Sequence, residues 1–212
     1  MMKKHKKPDA LERFTKETAS HKMQVLLDSG TYRHLIFRSD KDSWCNWFEI
    51  VTWPGSLIIN GDMGSYSFSR IEDMFGFFRN SKDEELKINP SYWEEKIQAQ
   101  DRRTPAKRFD IDYYRENVLD SLNGYWLDGE GGERREQITA ALQDVFHGSD
   151  DMQPHEIYEA VREFEHDGFS LSDPWEISSE TYTFHYLWCL YAIVWGIRQY
   201  DAAKQIEPER AA

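Results

Sequence analysis

Cysteine is scarce in this 212-residue chain: Cys45 and Cys189 are the two present, far apart and in no CxxC pair. That scarcity excludes a disulfide framework and a cysteine-based metal cluster, and it makes a reducing compartment the simpler reading, with a single Cys45–Cys189 bridge as the alternative. Long apolar runs are missing too. The nearest, Tyr182 to Ile197, is 16 residues long and includes Thr183 and His185, short of the roughly 20 residues that span a bilayer. The amino terminus, MMKKHKKPDALERF, is positive but has no apolar stretch behind it. An ordinary secretory signal would need one, so a cytoplasmic location is expected. GxGxxG, GxxxxGK[ST] and GxSxG are all absent, which leaves dinucleotide, P-loop and serine-hydrolase chemistry without sequence support. No internal repeat or low-complexity tract appears.

What is present is aromatic and acidic. Eight Trp, eleven Tyr and twelve Phe are incompatible with a wholly disordered chain. The length suits one compact domain over residues 1–212. Its parts are a basic arm and short helix (1–21), a β-rich lobe with a closing helix (22–80), a helical lobe (81–207) and a tail (208–212). Charge is unevenly spread: residues 1–82 sum to +3 and residues 83–212 to −15. Between Asp144 and Glu180 eleven carboxylates face the single Arg162.

Periodicity gives the elements. Pro8 fits the start of a helix reaching about Ser20. Met23–Leu27 and Tyr32–Phe37 flank Asp28-Ser29-Gly30 as a hairpin. Trp47–Thr52 and Ser56–Asn60 flank Trp53-Pro54-Gly55, and Tyr66 and Phe68 alternate with serines. A meandering antiparallel sheet is expected, followed by an apolar helical stripe at Ile71, Met74, Phe75 and Phe78. Helices are then expected over Tyr92–Gln100, from Asp110 or Asp112 to Asn123, over Glu133–Phe146, from Pro154 to His166, and from Glu180 to Ala203. The fold class is α+β: a small N-terminal antiparallel sheet against a larger helical part with a buried C-terminal helix.

Several constellations invite chemistry, and each has a plainer reading. His155, Glu159, Glu163 and His166 line one face of an ideal helix, and Glu163-x-x-His166 has di-iron spacing, but no second Glu-x-x-His exists; a solvated face is favoured. Asp110 and Asp112 suit magnesium, yet acidic residues at a helix start also answer the macrodipole. Gly129-Glu130-Gly131-Gly132 lacks the lysine of a phosphate loop. Cys45, Cys189 and His185 read as packing residues. No catalytic residue, metal ligand or cofactor is therefore assigned. The acidic segment has two readings, a solvated helical surface or a patch for a basic partner, with Asp144, Asp150, Asp151, Glu156, Glu159 and Glu163 as its candidate contacts. Nucleic-acid binding is disfavoured by a net charge of −12, because phosphate neutralisation supplies much of such affinity; Arg102, Arg103, Lys107, Arg108 and Arg115 are the residues that would carry it.

The run Thr52-Trp53-Pro54-Gly55-Ser56-Leu57, Gly61-Asp62-Met63-Gly64, Phe68-Ser69-Arg70, Asp73-Met74-Phe75 and Phe77-Phe78-Arg79 resembles a family of small proteins encoded by bacteriophages and prophages. Gly30-Thr31-Tyr32-Arg33-His34-Leu35 and the tail Trp188–Asp201 look similar as well. The resemblance implies a phage accessory protein made in a bacterial host, and it carries over no catalytic residue. Physically the motif is mostly structural, with Asp62 and Met63 beside Arg70 as a candidate ligand loop. The function expected is that of a non-enzymatic binder of a host protein, in its sharpest form an anti-CRISPR-like inhibitor of a defence nuclease. The competing classes are an enzyme or sensor of a nucleotide or small phosphorylated ligand, and a nucleic-acid binder acting through Arg102 to Arg115.

Overall fold

The computed structural model describes residues 9–40, 44–79, 85–125, 132–149 and 152–206. The chain forms two compact units, one of residues 1–106 with 182–212 and one of residues 107–181. The class is α+β.

Unit 1 is built on a six-stranded antiparallel meander: β1 (Lys22–Ser29), β2 (Tyr32–Arg38), β3 (Phe48–Trp53), β4 (Ser56–Gly61), β5 (Gly64–Ser69) and β6 (Ile97–Gln100), paired in that order. Alternation along β2 to β5 drives Leu35, Phe37, Phe48, Ile50, Leu57, Ile59, Tyr66 and Phe68 to one buried face, as the two-residue period of a strand requires. The Pro54-Gly55 turn follows from its residues: proline fixes its own φ, and Gly55 takes the φ of +82° that a type II turn needs at its next position. Across the buried face pack α1 (Ala10–Thr18), α2 (Met74–Phe78) and the long α7 (Phe184–Ile206). Asp9 caps α1, its Oδ1 accepting from the Leu11 N–H at 3.0 Å. α7 is apolar nearly all round and buries Tyr186, Trp188, Cys189, Leu190, Ala192, Ile193, Val194 and Ile197. Among the described residues no helix is long and apolar enough to cross a membrane.

Two expected helices are redrawn by pairing. The one read over Tyr92–Gln100 is α3 (Pro90–Glu94) followed by β6. The edge of β5 captures this segment, with Ser69 N–H donating to the Lys96 carbonyl (3.0 Å) and Asp101 N–H to that of Ser65 (2.9 Å), and tertiary hydrogen bonds outweigh a weak helical propensity. The last helix starts at Phe184 rather than Glu180. Thr183 caps it, accepting from the Tyr186 N–H at 3.2 Å, and Glu180–Tyr182 instead form β10, paired with β7 (Lys107–Phe109).

Unit 2 contains α4 (Ile111–Tyr125), α5 (Gly132–Val145), α6 (Pro154–Glu163), a small hairpin of β8 (Glu165–His166) and β9 (Phe169–Ser170), and a 3-10 turn at Pro174–Glu176. Tyr114, Val118, Leu122, Ile138, Leu142, Ile157 and Val161 are its buried core. α6 ends three residues earlier than its charge pattern implied, because Phe164 is extended (ψ 123°). Asp167 and Gly168, at φ of +50° and +71°, then close the hairpin in the positive-φ pair that a tight two-residue turn demands.

Candidate functional site

Helix α6 opens on Pro154, and the Gln153 N–H donates to Glu156 Oε2 at 2.6 Å. Glu156 is thus committed to capping. Ile157 and Val161 anchor the inner face, which leaves Glu159 and Glu163 outward with 58% and 72% of their side chains exposed. Arg162 lies 3.3 Å from Glu159 and 3.8 Å from Glu163, so one base is shared between two acids. Asp144, near the end of α5, is exposed and 2.9 Å from His147 Nδ1. Asp150 and Asp151 lie outside the described residues. Every described acidic residue from Asp144 to Glu180 is exposed.

The charge follows the units. Residues 107–181 carry nineteen acidic and six basic side chains, net −13, against −12 for the whole chain; the remainder therefore balances to +1. The excess negative charge belongs entirely to unit 2.

The same unit holds an open depression of about 370 Å³ lined by Trp175, Tyr158, Phe109, Glu176, Glu180 and Lys107, among others. Trp175 is 55% exposed, although its turn is firmly held: the Tyr114 hydroxyl donates to the Pro174 carbonyl at 2.9 Å. Burial raises the Tyr114 pKa above its ordinary range, so it remains a donor. The Tyr158 hydroxyl meets Ser179 Oγ at 2.8 Å, and its ring stands edge-on to Phe109 at 5.8 Å. Trp175 escaped the sequence reading, since a tryptophan in a Ser/Asp/Pro loop looks the same in sequence whether it is packed or presented.

The other candidates are dispersed or already engaged. Asp62 Oδ2 accepts from the Asn46 N–H at 2.8 Å, Met63 packs against the core, and Arg70 follows the far end of β5. By the rise of about 3.3 Å per residue these sites are separated by roughly 20 Å, so Asp62 and Met63 are not presented beside Arg70. His166 sits in β8 rather than on α6, which removes it from the helical face of His155, Glu159 and Glu163. Among the described residues no group of three or more His, Cys, Asp or Glu could hold a metal ion. Asp110 accepts from the Tyr113 N–H (3.2 Å) and the Thr181 hydroxyl (3.1 Å), and Asp112 pairs with Arg115 at 2.6 Å. Both carboxylates serve the start of α4. Arg102 and Arg103 belong to unit 1, whereas Lys107, Arg108 and Arg115 belong to unit 2. Gly129, Glu130 and Gly131 lie outside the described residues.

No family model, curated protein or solved structure matches the chain.

Proposed function

We propose that this protein is a non-enzymatic binding protein whose acidic unit engages a basic surface on a partner protein. The observation that carries the reading is the confinement of the whole net negative charge to residues 107–181, with the described acids of the 144–180 segment all exposed. A field of one sign steers association with an oppositely charged surface, and a balanced solubilising mixture would not be partitioned in this way. In the setting implied by the phage resemblance the partner is a host protein, and inhibition of a defence nuclease is the sharpest form of the proposal.

The test begins with affinity capture from phage-infected bacteria and mass spectrometry. Association of the captured partner is then measured across salt concentrations for a Glu159→Gln, Glu163→Gln, Glu165→Gln variant, with Glu156 left intact because it caps α6. The expected result is a slower on-rate at low salt and a flatter salt dependence, with an unchanged circular dichroism spectrum. An unchanged on-rate at low salt overturns the proposal.

A further inference from the structure

An indole left more than half in water on a rigid turn asks for an occupant. Trp175 rides on the 3-10 turn Pro174–Glu176, entered through Asp173 at φ +51° and pinned by the Tyr114 hydroxyl. The ring is therefore presented by a fixed scaffold. The depression it borders has aromatic walls from Tyr158 and Phe109 and two exposed carboxylates, Glu176 and Glu180, against the one positive charge of Lys107. Neither carboxylate is in an ion pair among the described residues.

Aromatic faces together with carboxylates select a cation. We infer that this depression seats the guanidinium of an arginine side chain, an inference that rests on the partner-binding reading above and supplies its anchor. A guanidinium is planar and weakly hydrated, so it stacks on the exposed indole while its in-plane N–H groups reach the carboxylates. A lysine ammonium is a compact, strongly hydrated point charge and uses the indole face less well. An anionic side chain meets two carboxylates, and a neutral one forgoes both the charge and the cation–π attraction. Tryptophan and arginine are also among the residues in which binding energy concentrates at protein interfaces, and the exposed Trp175 offers one half of such a pair.

The 212-residue chain is labelled with nitrogen-15, and the Trp175 indole signal is identified by its loss in Trp175→Phe. The probes are Nα-acetyl-arginine amide and its neutral isostere Nα-acetyl-citrulline amide. Saturable movement of the Trp175 signal is expected with the arginine probe and not with citrulline, while the indole signals of the other seven tryptophans stay in place. Glu176→Gln and Glu180→Gln should each weaken the arginine response by about fivefold. No movement with arginine, or equal movement with citrulline, overturns the inference. The two readings fail separately. A silent Trp175 in a protein whose α6 variant still loses its on-rate discards the seat alone; an arginine-responsive Trp175 with an unaffected α6 variant discards the broader acidic surface alone.

Discussion

Cys189 lies wholly inside unit 1, where burial pushes its thiol pKa far up, whereas Cys45 is exposed between β2 and β3. A thiol reagent needs both access and thiolate. In native protein an aromatic disulfide reagent should therefore release one equivalent, lost in Cys45→Ser, and in denaturant it should release two. Two native equivalents would mean that α7 opens on the timescale of the assay. Gly196 is similarly constrained by its surroundings. A Cβ there would stand 2.7 Å from Ile50 Cδ1 and 3.1 Å from Phe37 Cζ, so the glycine is what lets α7 approach the sheet. Gly196→Ala gains about 1 kcal/mol of helix propensity but overpacks a close-packed core, which costs about 1 to 3 kcal/mol. The clash should win because its partners are core groups with little room to move. Gly124→Ala in α4 meets nothing within 4 Å and should show the propensity gain alone. Urea denaturation midpoints that fall for the first variant and hold or rise for the second would bear this out.

At the scale of elements, α7 and the strands β2 to β5 were legible because their burial is one-sided or complete, and burial writes itself into periodicity. β6 was not. Ile97-Gln98-Ala99-Gln100 alternates apolar with polar for four residues only, with Ala99 exposed, too short and weak a run to mark a strand, and its conformation is set by the free edge of β5, which lies about thirty residues earlier. The β8–β9 hairpin was hidden by its two-residue strands. The importance of α7 is concentrated in Trp188, which is fully buried, meets Phe14 and Phe48 edge-on at 5.1 and 5.6 Å, and donates its indole N–H to Glu17 at 2.9 Å. Trp188→Ala should cost about 3 to 5 kcal/mol, measured by chemical denaturation, and Trp188→Phe distinctly less. Side-chain ion pairs further tie the elements of unit 1. Arg33 on β2 holds Asp73 at the head of α2 through bonds of 2.8 and 3.1 Å, while Asp28 on β1 accepts from Lys204 at 2.6 Å and Tyr200 at 2.9 Å on α7. The Lys204 hydrogen bond holds the Asp28 carboxyl below the usual carboxylate range. Desolvation raises that of Asp73, but the Arg33 and Phe75 hydrogen bonds bring it below that range. Both folded pKa values lie under the unfolded value of about 3.9. The stability they contribute is thus complete above about pH 4 and drains as pH falls through the folded values. Asp73→Asn should be less stable at neutral pH and should lose less stability than wild type on acidification below pH 4. A parallel loss in both proteins would assign the acid sensitivity elsewhere.

For the whole molecule, the sequence disclosed the acidity by simple counting but not the surface it would form, because exposure is a property of the fold. It also could not disclose that the acidic segment is part of a compact unit inserted into another. The chain leaves unit 1 after Ala106 and re-enters at Tyr182, and the two ends of that gap are already joined: Thr183 donates its N–H to the Ala106 carbonyl at 2.9 Å and its hydroxyl to the Pro105 carbonyl at 2.8 Å. Closing so short a gap costs little loop entropy. Each unit, moreover, has its own hydrophobic cluster, with Phe14, Phe48 and Trp188 in one and Tyr114, Val118 and Leu142 in the other. Replacing residues 107–181 with a short Gly/Ser linker should therefore leave a folded, β-rich protein in which Cys189 stays protected from thiol reagents. It should also remove the excess negative charge, and with it all capture of a basic partner. A product that unfolds would show that unit 1 depends on the insertion for stability; a folded product that still captures the partner would move the binding surface to unit 1 and discard the acidic-unit reading.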